Sequence, residues 1–213
     1  MARKLKPALS ILRPMPPAIV TEGRRFHPAP AVLEWINDQI VSESGALHNP
    51  EHAHLAGADL ECLWAPGAFA QKGRTVIGTA EEVAFRAGGW QKARQEEQFE
   101  LWFGCIPKYL ITLAGDFCAE CTDAEFCALV EHEMYHVAQA TDLFGAPAFQ
   151  KDGRPKLFIR GHDVEEFVGV VRRYGAGDPG GAIARLAAAA RGKPQVSTAS
   201  IAGACGTCLL KVA

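Results

Sequence analysis

No stretch of this sequence is apolar enough to cross a membrane, no export signal opens it, and neither sign of charge prevails. A membrane helix needs about 18 or more consecutive apolar residues. The N-terminal MARKLKPALSILRPMPPAIV begins with basic residues, but Pro7, Arg13, Pro14, Pro16 and Pro17 interrupt any apolar core. The 22 Lys and Arg against 24 Asp and Glu leave a net charge of −2 and a pI near 6.4. No overall field therefore draws the chain to nucleic acid, and the short basic RKLK does not alter that. Seven cysteines are an odd number, and without an export signal they fit a reducing compartment better than a disulfide framework. The expected location is the cytosol.

What is present is an ordinary globular composition, 213 residues with 48% hydrophobic and 22% charged, enough to bury about 70% of the unfolded surface in one core. Residues 1–29 hold five of the 13 prolines and no sustained periodicity, and are expected as an arm laid on the domain or left mobile. The domain proper is expected over 30–192, with a tail at 193–213. Pro30 suits the first turn of a helix in which Val32, Leu33, Ile36 and Ile40 recur at helical spacing to about Ser44. His48, His52 and His54 follow in LHNPEHAH, where Asn49-Pro50 prevents a common helix face, so a polar loop with exposed histidines is expected. DLECLWAPGAF and TVIGTAEEVAF, either side of Lys72-Gly73-Arg74, predict two short strands joined by a turn. Residues 88–97 are polar and expected as helical or irregular, and the aromatic FELWFGCI at 99–106 predicts another strand, a candidate sheet edge for an extended peptide. KYLITLAGDFC fits either a strand or a short helix.

The densest chemistry lies in TDAEFCALVEHEMYHVAQATDLFG, Thr122 to Gly145. Thr122 and Glu125 form a capping-box pair, Asp123 complements the helix dipole, and Gly145 with Pro147 supplies a stop, so a helix is predicted from about Asp123 to Phe144. Phe126, Val130, Met134, Val137 and Ala138 make its apolar stripe, whereas His132 and His136 lie together on another side. Two imidazoles at i and i+4 can reach one ion, and Glu133, one step round, can meet a water bound to it. This His-Glu-x-x-His pattern is the arrangement of zinc-assisted hydrolysis, with His132 and His136 as ligands and Glu133 as general base.

A catalytic zinc takes a third protein ligand. The next acidic and histidine-bearing segment, GHDVEEFVGVVRRYG, opens a second predicted helix at Asp163, whose Val164, Phe167, Val168, Val171 and Tyr174 form the stripe. Asp163 is the expected N-cap and Glu166 its capping-box partner, while Glu165 projects to solvent. His162, outside the helix and without a structural task, is the predicted third ligand, with Glu166 the alternative. A short alanine-rich helix follows at 180–192 with Ile183, Leu186 and Ala190 inward. Cys118 and Cys121, with Cys205 and Cys208, are two CxxC pairs that could hold a second, structural zinc; the alternative is plain thiols. Cys62, Cys105 and Cys127 fall in apolar runs and are expected in the core.

The order LVEHEMYHV, then HDVEEFVGVVRRYG, resembles the zincin-like metallopeptidases of phages and prophages, and more distantly the SprT-like proteins, which carry a third histidine before a helix. The resemblance spans about residues 98–175, is fainter over 30–97, where GRTVIGTAEEV is similar to a strand pair, and does not reach the arm or tail. The FCAEC run departs from the family pattern. The resemblance implies an α+β zincin-like fold, a small, mostly antiparallel sheet against the motif helix and a following helix. It also implies a zinc ion and a peptidase-like site acting on a peptide or protein. Two other readings stand beside it: a metal-binding regulatory module without turnover, and a structural Cys-zinc protein in which the histidine motif is incidental.

Overall fold

The computed structural model describes residues 12–164, 171, 175–197, 199 and 205–207. The architecture is α+β and is built outward from β6 (Tyr109–Ala114), the YLITLA run that is apolar on both faces and almost wholly buried. A strand covered on both sides needs no alternation, which is why periodicity could not distinguish it from a helix. On one side β6 pairs in parallel with β2 (Leu60–Ala65), and on the other it pairs antiparallel with β5 (Gly78–Glu82). The short β1 (His27–Pro28) completes the order β1-β2-β6-β5.

The sheet is therefore mixed: two pairings are antiparallel, but the central one, in which Leu60 faces Tyr109 and Ala65 faces Ala114, is parallel. The two strands expected to join through Lys72-Gly73-Arg74 do not pair with each other. That turn closes a separate hairpin, β3 (Phe69–Gln71) with β4 (Arg74–Val76), while β2 and β5 flank β6.

One sheet face carries α2 (Pro30–Ile36), extended by a wider turn over Asn37–Val41, and α5 (Asp123–His136). Pro30 lies in the first turn of α2, and Val32, Ile36 and Ile40 are buried as their spacing predicts. Trp35 meets Phe126 edge to face, ring centres 5.3 Å apart, which locks α2 to α5. The described part of the arm, from Leu12, is tied into this body. In α1 (Ala18–Thr21), Val20 is fully buried against Gly115, where a Cβ would collide with Val20 Cγ1 and approach the Ala65 carbonyl oxygen. Arg13 donates to the carbonyl oxygens of Cys118 and Cys121 and pairs with Asp123 at 2.9 Å.

The 99–106 strand is not formed. Residues 89–103 are one helix, α3 (Gly89–Phe103), ended by Gly104 at φ 73°. Phe99, Trp102 and Phe103 recur at i, i+3 and i+4 and cluster with Phe85, a helical period that only superficially alternates. This removes the expected peptide-binding edge, and leaves Cys105 exposed just past the helix instead of in the core. Cys62 is buried and Cys127 half-buried.

Among the described residues no helix is long and apolar enough to cross a membrane. Most of the helix predicted from Asp163 to Tyr174, Glu165 and Glu166 included, lies outside the described residues.

Candidate metal centre

Helix α5 begins as its sequence predicts. The Thr122 hydroxyl accepts from the Glu125 amide at 3.3 Å, and the Glu125 carboxylate accepts from the Thr122 amide at 2.8 Å, closing the capping box. Hydrogen bonding to the Thr122 amide holds the Glu125 carboxyl below the usual carboxylate range. Leading into it, the FCAEC run forms α4 (Gly115–Glu120), which ends at Cys121 just before the cap.

The helix ends sooner than predicted. His136 is its last residue, and Val137 turns out to ψ 88° to begin β7 (Val137–Gln139), paired antiparallel with β8 (Leu157–Ile159). The Gly145 stop belongs to the far end of the intervening excursion. There Asp142 Oδ1 accepts from the amides of Phe144 and Ala146, and Gly145 adopts φ 81°. A second turn closes across Asp152-Gly153, with the Gln150 amide donating to the Arg154 carbonyl at 2.7 Å. The chain thus leaves the helix at His136 and returns to it at Arg160, whose amide donates to the His136 carbonyl at 2.9 Å.

That return delivers His162. Its Nε2 lies 3.1 Å from His132 Nε2, which in turn is 3.3 Å from His136 Nε2, and the three ring centres are 5.0 to 5.1 Å apart. Cys205 from the tail completes the group, its Sγ 3.1 Å from His136 Nε2, and the four candidate ligand atoms all lie within 4.8 Å of one another. Nitrogens bound tetrahedrally about 2.0–2.1 Å from one zinc ion stand about 3.3 Å apart, so the spacing fits an ion of that size. His136 Nδ1 is 2.8 Å from the Arg160 carbonyl, which can only accept; Nδ1 therefore carries the proton and Nε2 presents its lone pair. Arg160 also donates from Nε to the Tyr135 carbonyl at 2.9 Å and pairs with Asp163 at 3.1 Å, holding the turn that aims His162. Burial, followed by the neighbouring His136 and His162, lowers the His132 pKa to about 4, favouring the neutral imidazole that a metal requires.

Glu133 points from the same helix turn toward β5 and is fully buried. Its Oε2 accepts from the Thr207 hydroxyl at 3.1 Å, while its Oε1 has no hydrogen-bond partner among the described residues. Burial pushes its carboxyl up to about 7. Beside the histidines opens a cleft of about 460 Å³, lined by His132, His136, Arg160 and His162 on one side. Its other wall is the Ala182–Arg191 helix, through Ala182, Arg185, Leu186 and Ala189. Of the residues predicted to face inward, Leu186 is half exposed and borders the cleft beside Ala182, Arg185 and Ala189, and not the core.

His48, His52 and His54 are not an exposed loop. Pro50–Leu55 is a 3-10 turn capped by Asn49, and it braces the back of α5. His52 is fully buried edge-on to Tyr135, ring centres 4.4 Å apart, and its Nε2 is 3.6 Å from Glu131. His54 donates from Nε2 to the Val137 carbonyl at 2.8 Å, at the point where the helix ends. Of the two CxxC pairs, Cys205 sits with the histidines, whereas Cys118 and Cys121 share a corner with Arg13. Cys208 lies outside the described residues.

Fold and site together define an α+β protein with a helix-borne histidine pair, a third histidine and a cysteine grouped where a metal ion can be held. A family profile described as Putative phage metallopeptidase matches residues 33–191, and the chain belongs to that family. Neither a curated protein nor a solved structure matches it.

Proposed function

We infer that the protein is a zinc-dependent peptidase of zincin type, with His132, His136 and His162 as ligands and Glu133 as general base. One observation carries this reading: three imidazole Nε2 atoms from two separate segments converge next to a buried carboxylate. When bound, zinc would polarise a scissile carbonyl and acidify a water. Glu133, poised by burial near neutral pH, takes the proton of the attacking water and returns it to the departing amine. The Arg160 carbonyl fixes the His136 tautomer, and the Arg160 side chain orients the His162 turn. The cleft beside the histidines accommodates a peptide or protein chain.

A second reading has one observation in its favour. Four protein ligands are the count of a structural zinc site, and Cys205 makes four here. The two are separated by metal content and hydrolysis of a denatured protein substrate, measured with Cys205 intact and with Cys205→Ser. Replacement of His132, His136 or His162 by Ala should weaken zinc binding severely and abolish hydrolysis. Glu133→Gln should keep the ion and lose about 100-fold or more of the rate. Hydrolysis undiminished in Glu133→Gln, or zinc lost together with activity, refutes the assigned role.

A further inference from the structure

Cys205, Gly206 and Thr207 are buried against the site although they lie at least 69 residues from His136 in sequence. The segment runs along the outer edge of β5: Cys205 bridges Gly78 in parallel, the Gly206 amide donates to the Gly78 carbonyl at 2.9 Å, and the Ala80 amide donates to the Thr207 hydroxyl at 2.6 Å. The fit is close. A Cβ on Gly206 would come within 2.5 Å of Val76 Cγ1 and 2.6 Å of Thr79 Cγ2, both on β-branched side chains with little freedom to yield.

Three things a hydrolytic metal site needs are taken at once. The Cys205 sulfur stands among the histidine nitrogens, in the group where a catalytic site keeps one position open. The Thr207 hydroxyl donates to Glu133 Oε2, the carboxylate oxygen that also lies 4.0 Å from the Cys205 sulfur, and so ties the candidate base to the segment. The backbone edge of β5, which could add an extended peptide as a further strand, is paired with the chain's own tail. A merely structural cysteine ligand would account for the first and not for the other two.

We propose that residues 205–207 are a built-in plug: Cys205 ligates the ion as a thiolate and, with Thr207, keeps the chain latent until the segment is displaced from β5. The proposal rests on the peptidase reading for its meaning, but occlusion of the metal can be measured without turnover. The full chain is loaded with cobalt(II) as native protein, as Cys205→Ser and as Gly206→Val, the last intended to lift the segment with its thiol intact.

The native chain should show a thiolate-to-cobalt charge-transfer band that Cys205→Ser lacks while still holding about one ion per chain through its histidines. A native chain without that band, or a band that survives Cys205→Ser, overturns the ligand assignment. Acetohydroxamate, a small metal-directed probe, is then titrated against all three. Both variants should bind it about ten-fold or more tightly than the native chain, since a site open only a small fraction of the time binds more weakly by that fraction. Equal affinities in all three overturn the plug. Tighter binding in both variants with no hydrolysis by any of them upholds the plug and sinks the peptidase reading instead.

Discussion

Glu133 has no spare room, and the constraint comes from a glycine. A Cβ at Gly78 would stand 2.7 Å from Glu133 Oε1 and 2.9 Å from Leu129 Cδ1, so any larger residue on β5 pushes the carboxylate or the helix away. Introduced together with Cys205→Ser, so that the site is open, Gly78→Ala should leave zinc content near that of Cys205→Ser alone and lower the hydrolytic rate by about 100-fold, the size of loss that follows from misplacing a reacting group by about 1 Å. Rate and metal stoichiometry measured on the same preparation check this, and a rate equal to that of Cys205→Ser alone would show that the carboxylate tolerates the shift. At this scale the sequence was legible where chemistry is local. His132, Glu133 and His136 share one helix turn, and His162 stood out as a histidine without a structural task. Cys205 and Thr207 were not legible, since only the folded sheet edge brings them to Glu133 and His136, and Cys205 was instead grouped with Cys118 by its CxxC spacing. His52 departs from the exposed loop its sequence predicts for a related reason. Asn49-Pro50 does break the helix, but the 3-10 turn after it is packed under Tyr135 and not left in solvent.

Among the elements, α5 shows which signals are dependable. Its start is set by a capping box whose two bonds are both local, and both form. Its end was misplaced because Gly145 and Pro147 are true turn signals that serve the excursion beyond β7, while the helix stops where β7 finds β8, a pairing across 20 residues that no local pattern encodes. The same limit explains α3, where aromatics suited to a strand also satisfy a helical period closed by Gly104. The start of α5 is testable. Thr122→Ala removes the cap and should cost about 1 kcal/mol of stability at neutral pH, read from denaturant unfolding at constant m-value. The Glu125 carboxyl is held below its unfolded value by the Thr122 amide and hydroxyl, so its contribution is present above the unfolded pKa and is lost as pH falls through the folded one. The gap between variant and native protein should therefore narrow on acidification below the ordinary carboxylate range. A gap independent of pH would place the whole effect in the bond that the hydroxyl accepts from the Glu125 amide and none in the one it donates to the carboxylate.

For the molecule as a whole, the site joins parts that the chain keeps far apart. The candidate ligand group draws on α5, on the turn after β8 and on the tail beside β5. An ion held there ties the motif helix to a sheet edge on one side and, through His162, to the wall of the cleft on the other. Because the unfolded chain presents no such grouping, binding favours the folded state by an amount set by ion concentration over Kd, about 2.7 kcal/mol at a hundredfold excess. For a chain of this size that corresponds to roughly 5–11 °C in Tm. Zinc-loaded protein should accordingly melt higher than the same protein after chelation, and the difference should shrink most in His136→Ala, where the candidate ligand fixed by the Arg160 carbonyl, and the nitrogen nearest Cys205, is gone. In Cys205→Ser the difference should shrink without vanishing, because three histidines remain while the tail is no longer anchored through the ion. Paired calorimetric scans of the three proteins, with and without chelator, decide the matter. Equal melting temperatures for the loaded and chelated native chain would mean that the ion does not link these segments, and an undiminished difference in Cys205→Ser would detach the tail from the centre.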